Sequence, residues 1–139
     1  MEKKSKKVVV LPCSGIGKVF GALARETTYE LVERVRPDSA VTTCLAKLVI
    51  GDAETKQLVK ENPVITIDGC PKECARKSAE SQGVNVARSF QTIDFYKAHK
   101  DMKPEGISEL DETGRKLAAI AADELGQVVD EVAIEEEKK

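Results

Sequence analysis

The sequence predicts an α/β protein: a Rossmann-like three-layer fold with a mostly parallel sheet of about four strands and helices on both faces. Short apolar runs rich in β-branched residues, Val8-Val9-Val10-Leu11 and Val64-Ile65-Thr66-Ile67, read as strands buried on both sides. Segments of helical periodicity separate them, and strands alternating with helices imply right-handed parallel crossovers. The 139 residues suit one domain spanning 1–139. Its core is expected at about 7–92, with a C-terminal docking helix at about 112–132.

After the first strand a turn runs from Pro12 to Lys18, and Phe20, Leu23, Ala24, Thr27, Leu31, Val32 and Val35 then recur at helical spacing. This helix should stop before Pro37. Ala40–Thr43 reads as a second, weaker strand ending at Cys44. Asp52 is a good N-cap for a short helix to Glu61. The strand at Val64–Ile67 runs into Asp68-Gly69-Cys70-Pro71. Pro71 fits the first position of a helix that reaches about Ser81 and ends at Gly83. Val84 to about Phe90 reads as a fourth strand, and Ile93–Gly106 carries no clear signal. The last helix is amphipathic through Leu117, Ile120, Ala121, Leu125, Val128 and Val129. Both charged ends of the chain read as solvated, frayed segments.

Composition excludes several classes. Lysine and arginine number 22 against 24 acids, so there is no net basic field to attract phosphate backbones. Aromatic residues make up only 4% and tryptophan is absent, which leaves no stacking platform for bases. No nucleic-acid partner is expected. Val8–Pro12, the longest apolar run near the start, is too short for a signal peptide core or a membrane span. Neither a membrane nor a secretory route is expected, and the cytoplasm is the expected location. Cysteines there serve as metal ligands or redox groups more often than as structural disulfides.

The four cysteines, Cys13, Cys44, Cys70 and Cys74, are separated by thirty, twenty-five and three residues, unlike the two close pairs of a zinc ribbon. Their placement says more. Cys13, Cys44 and Cys70 each follow a predicted strand, and parallel strands end at one edge, where α/β proteins place their sites. Cys74 lies about one helical turn past Cys70, so both sulfurs can face one point. Helix starts near these thiols supply free N–H groups and the positive dipole end, which favour the thiolate. Lys18, Lys47, Lys72 and Arg76 add positive charge nearby. Spacing and placement leave three readings open: a metal site, redox thiols or disulfides, and inert buried cysteines.

Cys13-Ser14-Gly15 after a strand, Thr43-Cys44-Leu45-Ala46, and Ile67-Asp68-Gly69-Cys70-Pro71 followed by Cys74-Ala75 resemble the motifs of the DGC-domain family of zinc-binding proteins. The resemblance covers roughly Val8 to Phe90. It implies one zinc ion per chain, held by Cys13, Cys44, Cys70 and Cys74, and it supplies no reaction. In such proteins a small, Gly-rich stretch commonly follows the Thr-Cys-Leu-Ala motif. Here Lys47-Leu48-Val49-Ile50 stands instead, so the loop beside Cys44 differs. Four cysteines also suit an iron–sulfur cluster.

Ser14-Gly15-Ile16-Gly17-Lys18 has the strand–turn–helix setting of an anion cradle but lacks the spacing of a nucleotide P-loop. Cys70 with Arg76 matches the cysteine–five–arginine pattern of phosphatases and arsenate reductases, although Pro71 removes one N–H from such a loop. A thiol-dependent enzyme using Cys70 is thus the alternative to a metal-binding protein with a structural, carrier or sensing role. No catalytic residue is assigned. Asp68 is expected either to orient the Cys70 loop beyond the ligands or to serve as a turn residue. His99 sits in a charged stretch and reads as a surface residue, which leaves a nucleophilic cysteine without an evident base.

Overall fold

A computed structural model of the chain describes residues 7–13 and 17–138. Residues 1–6 and 139, and with them the outermost parts of the two charged ends, lie outside the described residues. So do Ser14, Gly15 and Ile16 of the expected anion cradle. Four strands, β1 (Val8–Pro12), β2 (Ala40–Thr42), β3 (Val64–Asp68) and β4 (Val86–Gln91), form an all-parallel sheet in the order β2-β1-β3-β4. Six α-helices accompany it among the described residues: α1 (Val19–Glu30), α2 (Leu45–Val49), α3 (Ala53–Glu61), α4 (Cys74–Ser81), α5 (Thr92–Ala98) and α6 (Glu112–Glu137). None of them is long and apolar enough to cross a membrane.

The period-two alternation of the strands builds the three layers. Val8, Val10, Ile65 and Ile67 face α1, α5 and α6, packing with Leu23, Phe95, Leu117 and Leu125. Val9, Leu11 and Val64 face the other way, onto Leu48 of α2, Val59 of α3 and Ala79 of α4. Both faces of β1 and β3 are therefore buried, as their unbroken apolar runs require. Asp52 caps α3 as expected, its carboxylate accepting from the Thr55 N–H at 3.0 Å. Asp111 caps α6 in the same way at Gly114, at 2.8 Å. Gly83, with φ of 79°, ends α4 in the left-handed conformation that glycine tolerates.

Several elements depart from the sequence expectations. The helix before Pro37 changes at Leu31 to a π-helical turn, Leu31–Val35, closed by the Arg36 N–H on the Leu31 carbonyl at 2.8 Å. That wider turn lies against α6: a side chain at Gly126 would come within 2.8 Å of Val35 Cγ1. Arg36 then grips Asp130 of α6 with two bonds of 2.9 Å, which holds the Asp130 carboxyl below the usual carboxylate range. The Lys47–Ile50 stretch is largely the helix α2 rather than a loop. A helix α5, Thr92–Ala98, forms at the start of the Ile93–Gly106 stretch that carries no clear signal, anchored by Phe95 in the core and by Thr92 Oγ1 donating to the Phe20 carbonyl at 2.9 Å. The last helix continues past Val132 to Glu137, its end tied to β4 by Glu135 on Arg88 rather than frayed.

The docking of α6 makes a direct test of the core. Leu117 is fully buried between α6 and the sheet. Leu117→Ala should lower the unfolding free energy by about 2–5 kcal/mol, read from urea denaturation.

Candidate metal centre

The sheet order gives the four cysteines a common edge. β1 lies between β2 and β3, and Cys13, Cys44 and Cys70 follow the carboxyl ends of these three neighbouring strands. Cys74 opens α4, the helix that follows β3. Adjacent strands are about 4.8 Å apart, so the strands leading to Cys44 and Cys70 are about 10 Å apart, with that of Cys13 between them.

Each cysteine is held differently. Cys13 extends the β1–β3 pairing by one step, its N–H donating to the Ile67 carbonyl at 3.0 Å. Its sulfur accepts the Gly69 N–H at 3.2 Å, so the first and third motifs touch. Cys44 is exposed at the N-cap of α2. Cys70 is half-buried and Cys74 exposed. No disulfide joins any of the four.

Cys70 and Cys74 do not lie on one helical turn, and Pro71 is not the first residue of a helix. Residues Cys70–Glu73 form a tight turn, closed by the Glu73 N–H on the Cys70 carbonyl at 3.1 Å, with Pro71 second in it as such turns prefer. Glu73 takes a left-handed φ of 53°, and α4 begins only at Cys74. The reason is Asp68. Its fully buried carboxylate accepts the N–H groups of Ala75 at 2.7 Å and Arg76 at 3.2 Å, the second and third residues of α4. Those are the amides an N-cap side chain would take, and Glu73 at the N-cap position provides no such bond. Asp68 thus caps α4 from the end of β3 and sets where Cys74 stands. Burial pushes its carboxyl above the usual range, against the opposing effect of the two amides.

Gly69 is as constrained as Asp68. A Cβ there would lie 2.5 Å from the Cα and N of Gly21 and 2.7 Å from the carbonyl carbon of Phe20, all backbone atoms of α1. Only glycine lets β3 run this close beneath α1. The Asp-Gly-Cys motif therefore combines a helix cap, a backbone crossing and a thiol. The sequence signals the turn and the thiol, but not the partners, which lie seven and eight residues ahead on one side and in α1 on the other.

The arginine of the phosphatase-like pattern is engaged elsewhere. Arg76 pairs with Glu73 and with Glu80, and the Glu73 N–H is already used by Cys70. Arg76 Nε is buried without a hydrogen-bond partner among the described residues. The Glu73 carboxyl, held below its usual range by Arg76 and Gln91, adds negative charge to this loop. His99 is not at this edge; its ring lies 3.3 Å from the Glu124 carboxylate on α6.

By donor type, four thiols fit a soft cation that prefers four-coordinate sulfur ligation. The elements bring all four to one edge, yet among the described residues no three cysteine, histidine, aspartate or glutamate side chains are close enough together to hold a metal ion. Binding one must draw the cysteine loops inward.

Neither the comparison with curated proteins nor that with solved structures gives a match. A comparison with protein families matches the DGC domain over residues 9–132, from the second residue of β1 to well into α6. On that match, which takes in all four cysteines and nearly all of the sheet, the chain belongs to the DGC-domain family.

Proposed function

We propose that the protein binds one zinc ion per chain through the thiolates of Cys13, Cys44, Cys70 and Cys74, in a structural, carrier or sensing role. The observation that carries this reading is the delivery of a cysteine by each of three neighbouring strand ends, β2, β1 and β3, with the fourth opening the helix after β3. Chance seldom puts every cysteine of a chain on one edge of its sheet. The Cys13–Gly69 bond supports it further, since a backbone N–H aimed at sulfur favours the thiolate that a metal requires. Four reduced thiols suit a reducing compartment, and we place the protein in the cytoplasm.

A closed shell of four thiolates leaves no open position for a reacting water, so the reading is a binding protein rather than a hydrolase. Metal analysis of anaerobically purified protein tests it, with about one zinc per chain expected. Absence of any transition metal, with four titratable thiols in folded protein, overturns it. Iron with acid-labile sulfide and visible colour would replace zinc by a cluster. The enzyme alternative is tested separately: we expect no hydrolysis of an aryl phosphate by the metal-free chain, and turnover abolished by Arg76→Ala would replace the binding reading with a phosphatase.

A further inference from the structure

We propose that the opposite edge of the sheet carries a separate binding site, for a small phosphate monoester with a flat apolar body. The site shares no residue with the cysteine edge, so it stands apart from the zinc reading.

A cavity of about 450 Å³ opens at the amino ends of β3 and β4. That volume falls within the usual range of small-molecule sites, about 300–1,000 Å³. Its walls come from the carboxyl half of α3, the link between α4 and β4, and Leu48 of α2. Leu48, Val59 and Val84 form an apolar floor, continuous with the core that covers this face of the sheet. Hydrogen bonds hold both walls. Asn62, just after α3, donates from Nδ2 to the Leu58 carbonyl at 2.9 Å and accepts the Lys7 N–H at 3.0 Å. Across the cavity, the Val84 N–H bonds back to the Ala79 carbonyl at 3.1 Å, through the left-handed turn at Gly83. The hollow is therefore built into the fold rather than left between loose loops.

Charge selects the ligand. Lys56 and Lys60, one turn apart on α3, both line the cavity. Like charges at this spacing repel. Neither ammonium has an ion-pair or hydrogen-bond partner among the described residues. Asp52, the acid one turn before Lys56, is taken by the Thr55 N–H and hydroxyl. Glu136, the one acid lining the cavity among the described residues, already has an interaction of its own. Two ammonium groups match the charge of a phosphate monoester, about −1.5 to −2 at neutral pH, and lysine serves phosphate as a point charge.

The same corner holds the carboxyl end of α3, whose carbonyl dipoles disfavour an anion. A bare phosphate is therefore held weakly, and the apolar floor supplies the rest by burying the body that carries it. Exposed Gln82 and Asn85 line the cavity too, and their side-chain amides both donate and accept.

The test uses the full chain and naphthyl phosphate, followed by amide chemical-shift changes in isotope-labelled protein. A dissociation constant of about 1 mM or tighter is expected, with shifts at Lys56, Lys60 and residues 83–85. Inorganic phosphate and neutral naphthol should each bind at least about 10-fold more weakly, since each lacks half of the recognised chemistry. The monoanion naphthoate should fall between them and the phosphate. The double variant Lys56→Gln, Lys60→Gln, its fold checked by the same spectrum, should bind naphthyl phosphate about 10-fold more weakly. Unchanged affinity in that variant overturns the proposal, as do shifts confined to the cysteine loops or to the turn after β1. Naphthol binding as tightly as the phosphate would mean an apolar hollow without an anion site, and naphthoate binding as tightly would mean no preference for phosphate; either result overturns it.

Discussion

Replacing Gly69 with alanine is expected to lower the unfolding free energy by about 3 kcal/mol, at the upper end of ordinary overpacking costs. The new methyl would meet the N and Cα of Gly21 at 2.5 Å, and backbone cannot rotate aside as a side chain can. Either α1 lifts from the sheet or the β3 end bends away. The first opens the packing of Leu23 and Ala22 on the core, and the second carries off the N–H that Gly69 donates to Cys13. Urea denaturation reads the stability loss. Gly126→Ala is the comparison: the nearest atoms its methyl would meet belong to the side chains of Val35 and Arg36, which give way more readily than backbone, so its cost should be smaller. Equal costs at the two positions would show that the α1–β3 crossing is not the tighter of the two contacts. If the zinc reading holds, Gly69→Ala should also weaken metal binding, because the loops of Cys13 and Cys70 no longer meet.

Removing the Asp68 carboxylate should have the next largest effect. Asp68→Ala strips the acceptor from the Ala75 and Arg76 N–H groups, the former in a fully buried residue, and leaves a void at the start of α4. Bonds to a charged acceptor contribute about 1.5–3 kcal/mol, and an orphaned buried donor costs a similar amount, so a loss of about 2–3 kcal/mol is expected. Asp68→Asn fills the void and keeps one acceptor oxygen, enough for one of the two amides, but turns its NH2 toward the other, so it should recover only part of that stability. The two variants separate packing from positioning. Hydrogen exchange should quicken at both the Ala75 and Arg76 amides in Asp68→Ala and slow again at only one of them in Asp68→Asn. Unchanged protection of these amides in Asp68→Ala would remove Asp68 from its role as the α4 cap.

The two halves of the Asp-Gly-Cys motif show how far sequence reasoning reaches. That cysteines 13, 44 and 70 follow strands is legible because apolar β-branched runs and turn residues are local signals, and the sheet places the ends of β1, β2 and β3 on one edge as that reading requires. The caps at Asp52 and Asp111 are local too, each acting three residues ahead. Asp68 acts seven and eight residues ahead, across a turn whose shape depends on Glu73 adopting a left-handed φ. No local pattern encodes that, so the local rule puts Pro71 first in a helix, whereas α4 begins at Cys74.

By itself the sequence determined the parallel α/β class, the four strands, most helices and the set of thiols, because each depends on periodicity or on neighbours a few residues apart. The tertiary structure decided what depends on contacts between distant segments. It set the strand order that places Cys13 between Cys44 and Cys70, and the burial that makes Asp68 a cap. It also set the close passage of Gly69 under α1, the existence of α5 through Phe95 in the core, and the unequal anchoring of the four cysteines. Hydrophobic pattern specifies which face of an element is buried, but how firmly each thiol is held depends on what the fold packs against it.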